Sequence, residues 1–387
     1  MRGHLRRRGV RSWAIVLDLG RGPDGRRKQR WHSVKGTRDD AEGALVRLLR
    51  SLQTGEYVEP SKLTVKFYLE RWLADYAKPN TSGKTYERYA EIVNTNLIPA
   101  IGDNKLAKLQ PLHIQALYTE ALKSGRQVGK GGLSPRSVLH IHRVLHQALA
   151  QAVRWQLLVR NPASAVEPPR PQPTEMKVLN ESETAKLLSL TARTDLYVPV
   201  LLGVTTGMRR GEILALTWAD IDLKAGTLAV TKSLEETNDG LTVKSPKTAK
   251  GRRTIPLPMM AVEALKKHKA EHGRKRLRLG GQFQELGLVC ATGDGSHIEP
   301  DAFSQQFKIF MRKTGLPKIR FHDLRHTHAT QLLRQGVHPK VVAERLGHSS
   351  ITLTLDTYSH VVPGLQEEAA RQIDRLLRKA LRESNTV

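Results

Sequence analysis

The hydrophobic pattern changes character along the chain. "SWAIVLDLG" (12–20) and "RRKQRWHSVKG" (26–36) are short apolar and aromatic runs joined by "RGPDG", and they predict two strands. "TRDDAEGALVRLLRSL" then takes on helical spacing, with Thr37 and Asp40 placed as a capping-box variant. Residues 53–62, "QTGEYVEPSK", read as a linker. From Leu63 to about Ala165 apolar residues recur every three or four positions, which predicts helices throughout. In that stretch Ser134 supplies a capping hydroxyl, and Pro135 fits the first helical position because its missing N–H is not needed there. Aromatic residues and His140, His142 and His146 fall on core or surface positions of these helices. The proline-rich run 161–177 cannot continue a helix and should be semi-extended. Beyond about Val178 helical and strand-like stretches mix. The expected fold is multidomain and mainly α with small β-sheets. It comprises a small basic β-sheet-plus-helix module (1–58), an all-α domain (62–166) and a mixed α+β domain (178–387).

Charge narrows the partners. The chain has 387 residues and a formal net charge of +26. Such an excess repels itself unless a polyanion is the usual partner. The charge is spread along the chain rather than stacked on one amphipathic helix, which favours nucleic acid over an anionic membrane surface. Residues 1–38 set many Lys and Arg against Asp18 and Asp24 alone. Trp13, Ile15, Val16, Leu17 and Trp31 in the same stretch argue for a folded module rather than a disordered arm. The single cysteine, Cys290, allows no internal disulfide and fits a reducing compartment. The first ten residues lack the apolar core of a signal peptide, and no run approaches the ~20 apolar residues of a membrane span. The expectation is an intracellular protein with no membrane partner.

The chemistry is concentrated in the third domain. In "TTGMRRGEILALTWADIDL" (205–223), Gly207 permits a sharp entry into a helix and Ile213, Leu216 and Trp218 pack it. Arg209 then stands at a helix start, where a cation opposes the dipole. It either faces an anion or pairs with Glu212. "LTVKSPKTAKGRRTIPLP" (241–258) reads as two strand-like runs around a tight hairpin, from which Lys247 projects. In "FHDLRHTHATQLLRQG" (321–336), His322 and Arg325 share one face at a helix start, where backbone N–H groups gather phosphate. His322, His326 and His328 have a chelating spacing, but neither a Cys partner nor an HExxH pattern accompanies them. Pro339 opens a further helix that Gly347 ends. His348 follows, and Tyr358 comes ten residues later. Two arginines, a lysine, two histidines and a tyrosine suit attack of a phenol on a phosphodiester. A phenol with an ordinary pKa of about 10 needs a base or nearby cations. Two guanidinium forks can neutralise the phosphate without metal. A lysine can protonate the departing 5′ oxygen, and a covalent phosphotyrosine conserves the bond energy without ATP.

The segments "TGMRRGE", "FHDLRHTHAT" and "LGHSSITLTLDTYSH" resemble, in order and spacing, the three boxes of the tyrosine recombinases, specifically integrases of phages and mobile elements. The resemblance runs from about residue 62. It implies that Arg209 and Arg325 clamp the scissile phosphate, with Glu212 orienting Arg209. Lys247 becomes the general acid, chosen over Lys244 and Lys250 of the same hairpin. His322 becomes an acid/base group near the tyrosine, His348 a hydrogen-bond donor to a phosphate oxygen, and Tyr358 the nucleophile. The resemblance further implies that 62–166 binds core-site DNA and closes a clamp on the duplex with the catalytic domain, and that the N-terminal module reads arm sites. It implies no cofactor or metal. The partners it implies are double-stranded DNA, three further copies of the chain on DNA, a host DNA-bending protein and a directionality factor. The setting is the bacterial cytoplasm, at the nucleoid. The helix "PGLQEEAARQIDRLLRKALRE" packs either on a neighbouring protomer or on its own domain. Two rival readings are a catalytically silent DNA-binding regulator and a topoisomerase-like relative. None of the six chemical residues is missing, which opposes the first, and the helical and arm-like domains oppose the second.

Overall fold

The computed structural model describes residues 2–21, 25–53, 62–126, 129–172, 176–246, 251–358 and 365–384. The chain divides into two compact units, 1–173 and 174–387.

The first unit opens with an antiparallel sheet of β1 (Arg2–Gly9), β2 (Ser12–Arg21) and β3 (Arg27–Lys35), followed by α1 (Arg38–Gln53). The strand pattern of the sequence anticipates β2 and β3 but not β1. In "RGHLRRRG" Leu5 is the lone large apolar residue, so the run shows no alternation. An edge strand can form on ladder hydrogen bonds to β2 with its outward positions left to arginine. Register sets His4 opposite Val16 and Val16 opposite Trp31, while Arg6 faces Ala14. That face carries Arg6 and Arg8 over the Trp31 ring, at 5.8 and 5.3 Å. The other face packs on α1: a Cβ on Gly3 would meet Leu45 at 2.8 Å. The expected cap forms, with Asp40 N–H donating to Thr37 Oγ1 at 3.2 Å and Thr37 N–H to Asp40 Oδ2 at 2.8 Å.

The rest of this unit is helical. Here α2 (Val65–Trp72) continues through a π turn at Leu73–Ala77, and α3 (Gly83–Ile92) through another at Val93–Leu97. They pack with α4 (Pro111–Ser124) and α5 (Pro135–Arg154), which Ser134 caps from its hydroxyl at 3.1 Å. Buried aromatics find polar partners, as amphipathic rings must. Tyr68 donates to the Ala148 carbonyl at 2.6 Å, and Tyr118 bonds His142 at 2.8 Å. His146 meets Ser164 and His140 is exposed, so these histidines serve core and surface.

In the second unit, α6 (Glu181–Thr191) and the almost wholly buried α7 (Tyr197–Thr206) lead through Gly207 into α8 (Arg210–Leu214). Two small sheets follow: β4 (Ile221–Asp222), β5 (Thr227–Val230) and β8 (Arg253–Pro256) form one, and β6 (Ser233–Thr237) with β7 (Gly240–Lys244) the other. This corrects the expected tight hairpin around "SPKTAKG". β7 folds back on β6 through Asn238–Asp239, with Gly240 at φ +109°, and β8 pairs with β5. A two-residue Asn-Asp turn followed by glycine closes a hairpin more readily than the longer lysine-containing loop. Lys247 and Lys250 lie outside the described residues. Helices α9 (Met259–Leu279), α10 (Pro300–Lys313), α11 (Asp323–Arg334), α12 (Pro339–Leu346), α13 (Ile351–Tyr358) and α14 (Leu365–Ser384) complete the unit. Leu201, Leu214, Leu228, Ile255, Phe303 and Leu324 belong to its main core. On α14, Ile373, Leu376, Leu377 and Leu381 are exposed. Among the described residues no helix is long and apolar enough to cross a membrane.

Candidate active site

Helix ends build the site. Gly207 ends α7 in the left-handed region at φ +66°, where a Cβ would meet Leu346 at 2.6 Å and His328 at 2.7 Å. Glycine therefore lets the turn into α8 sit against α11 and α12. Gly211 does the same for β6, since a Cβ there would meet the Leu234 carbonyl at 2.5 Å.

Arg209 caps α8 and pairs with Glu212. Its backbone N–H donates to Oε2 at 2.9 Å and its Nη1 to Oε1 at 2.8 Å. Its side chain remains 43% exposed while that of Glu212 is 3% exposed. A buried carboxylate needs more than one cationic partner. Arg253 provides the second, donating from Nη2 at 2.9 Å and holding the Arg345 carbonyl through Nε at 2.7 Å. Burial raises the Glu212 pKa, but Arg253 and then Arg209 outweigh it and keep the carboxyl below its ordinary value.

Arg325 is 3% exposed and is fixed by two helix C-termini. It donates from Nη1 to the Gly207 carbonyl and from Nη2 to the Leu346 carbonyl, each at 2.7 Å. Both acceptors are negative ends of helix dipoles, which suits a cation. Burial first, then the neighbouring Arg209, push its pKa down to about 9. It remains charged at neutral pH.

His348 follows the left-handed Gly347 and bonds Thr354 Oγ1 through Nδ1 at 2.7 Å. Burial, then Arg325, Arg209 and Arg253, lower its pKa to about 4. His322 is exposed, and its pKa is lowered in the same direction by partial desolvation and then by His326 and Arg325. Tyr358 is the last residue of α13 and is fully buried. Its hydroxyl meets His326 Nδ1 at 2.8 Å. Burial pushes the phenol up to about 12, against the pull of Arg325.

A cavity of about 290 Å³ collects Arg209, Glu212, Lys244 and His348 on its walls. Lys244, one of the three lysines read on the hairpin, is ion-paired there with Glu235. Arg325 contacts the Gly207 end of the Arg209 turn and the Leu346 end of the His348 turn, so both arginines and His348 belong to one cluster. His322 is set apart from that cavity. It borders a neighbouring one with Arg210 and Phe321, and meets His326 edge-on at 5.2 Å between ring centres.

The sequence reading missed His326 and Arg253. His326 was weighed there for metal binding alone. Among the described residues no group of three His, Cys, Asp or Glu is arranged to hold a metal ion. His328 instead donates from Nδ1 to the Val204 carbonyl at 2.8 Å and accepts from Arg345 at 3.1 Å. Arg253 left a signal in the strand period: it alternates onto the face of buried Ile255, and a cation placed inward demands a buried anion.

The site thus carries an exposed guanidinium, a buried one and a tyrosine, each at a helix end. Residues 176–363 match the Phage integrase family, and residues 64–122 match the SAM-like N-terminal domain of phage integrases. The chain is 26% identical to a tyrosine recombinase XerC-like protein of Caldanaerobacter subterraneus subsp. tengcongensis, covering 95% of this chain and 97% of that one. It is 27% identical to the ICEBs1 integrase of Bacillus subtilis, covering 95% and 98%. The fold resembles that of the Tn1549 transposon integrase solved with circular intermediate DNA, with TM-score 0.65 and 19% identity over 81% of this chain and 99% of that one. It also resembles a lambda integrase dimer bound to a core site, with TM-score 0.58 and 20% identity over 91% and 93%. The chain belongs to the phage integrase family of tyrosine recombinases and is a site-specific recombinase.

Proposed function

We propose that this recombinase integrates and excises a phage or mobile element, with Tyr358 as nucleophile. The tyrosine oxygen attacks the scissile phosphorus while the bond to the 5′ oxygen breaks. A 3′-phosphotyrosine and a free 5′ hydroxyl result. The 5′ hydroxyl of the partner strand then reverses the step, and two such rounds pass through a Holliday junction. Arg209 and Arg325 neutralise the phosphate, and His348 donates to one of its oxygens. Lys247 protonates the leaving 5′ oxygen. Glu212 orients Arg209, and His322 assists proton movement. The convergence of Arg209, Arg325 and His348 around the Gly207 and Leu346 carbonyls carries this reading.

The organisation proposed is an arm-reading module (1–58), a core-site domain (62–166) and a catalytic domain (178–387). The partner is double-stranded DNA, bound by a homotetramer in the bacterial cytoplasm at the nucleoid. A DNA-bending host protein and a directionality factor assist. The exposed Ile373, Leu376, Leu377 and Leu381 on α14 suit packing against a neighbouring protomer. The catalytic reading is tested with Arg325→Ala and Arg209→Ala. Each should slow cleavage of a core site by about 10²–10³-fold or more, by analogy with loss of an oxyanion donor. Affinity for the same DNA should change little, because many other cations hold the backbone. Equal loss of binding and cleavage would make these arginines structural.

A further inference from the structure

We propose that His326 is the group that takes the proton from Tyr358 during strand cleavage. This rests on Tyr358 being the nucleophile and names the base that this nucleophile uses. Among the described residues the phenol makes one hydrogen bond, to His326 Nδ1 at 2.8 Å. The two side chains come from different helices, α11 and α13, and the rings lie 5.7 Å apart at 56°. His322, the histidine that the sequence pattern singles out, touches the ring of His326 rather than the phenol.

The step balances. The Tyr358 oxygen forms its bond to phosphorus, and its proton passes to Nδ1 of neutral His326, which becomes an imidazolium. The electron pair of the breaking P–O bond goes to the 5′ oxygen, which is protonated by a separate donor. In the rejoining step the imidazolium returns its proton to the departing phenolate. His326 must start neutral, and its surroundings favour that form. Burial lowers its pKa, Asp323 opposes this, and Arg325 and Arg320 reinforce it. Tyr358 and His322 face the same ring, and His348 is coupled to it electrostatically. A phenol pushed up to about 12 is fully protonated at neutral pH, so attack requires an acceptor within reach.

The test compares His326→Asn and His326→Ala with the wild-type chain in single-turnover cleavage of a nicked core-site duplex. Asparagine keeps a hydrogen-bonding atom near the Nδ1 position but does not accept a proton. A base predicts that both variants lose about 10²–10⁴-fold in rate. Both should also lose the fall in rate toward acid pH while core-site affinity stays unchanged; His326→Asn should unfold near the wild-type temperature, whereas His326→Ala, which strands the buried phenol, should unfold lower. A His326→Asn variant that cleaves at the wild-type rate would reduce His326 to a positioning residue and overturn the inference. The wild-type chain gives an independent reading through ¹⁵N-histidine NMR. The Nδ1 signal of His326, assigned by its shift in Tyr358→Phe, should be that of an unprotonated ring nitrogen. A proton-bearing Nδ1 would also overturn it. Failure of the underlying reading looks different: wild type would then form no adduct at Tyr358, and the inference would fall with it.

Discussion

Arg325 shows how single residues are held at this site. A guanidinium bonded to two helix-terminal carbonyls has its orientation fixed in advance, as the proposed phosphate clamp requires. Histidines are held in the opposite way. His328 donates to Val204 and accepts from Arg345, an arrangement that only the neutral ring permits. His328 and His348, both wholly or partly withdrawn from solvent, sit near pKa 4, below their ordinary 6.5. In the window between those values the unfolded chain binds more protons than the folded one. The stability that the neutral rings maintain is therefore complete above about pH 6.5 and is lost as pH falls toward 4. Thermal unfolding of the full chain should show a midpoint that drops steadily from pH 7 to pH 4.5. A midpoint unchanged over that range would contradict the neutral assignment. At the same scale stands the lysine. Lys247→Ala should slow cleavage of an ordinary phosphodiester, and a 5′-bridging sulfur, which leaves without protonation, should restore the rate. Rescue of Lys244→Ala in place of Lys247→Ala would move the role to the lysine paired with Glu235.

Elements were legible where period and caps agreed. The Thr37–Asp40 cap, the Ser134–Pro135 start and the Pro339–Gly347 helix each form as their residues dictate. β1 was not legible, because an arginine-rich edge strand shows no apolar alternation. The β6–β7 hairpin was hidden because strand partners depend on which turn closes, and Asn238–Asp239 competes with the longer lysine loop. At the site, Arg209, Glu212, Arg325 and His348 were legible from helix starts and stops. His326 was not, since its partner Tyr358 lies 32 residues on, a distance that no local spacing reports. The N-terminal sheet yields its own prediction. Arg6 and Arg8 lie over half-exposed Trp31, a surface suited to DNA. Replacing both arginines with alanine should weaken arm-site binding and leave core-site cleavage intact. The log–log salt slope should shrink by about 0.9 for each lost phosphate contact. Unchanged arm-site binding with an unchanged slope would remove this sheet from DNA recognition.

For the whole molecule, a net charge of +26 and the proposed covalent nucleophile belong together. Under the proposed function the charge brings a polyanion to the protein, and Arg209 and Arg325 make one of its phosphates electrophilic. Everything then depends on one oxygen. A suicide duplex nicked beside the crossover should trap the wild-type chain as a covalent adduct, and peptide mapping should place the DNA on the segment containing Tyr358. Tyr358→Phe keeps the ring and its packing, so it should fold, bind the core site normally and form no adduct. An adduct that persists in the phenylalanine variant, or that maps to another peptide, would contradict the account.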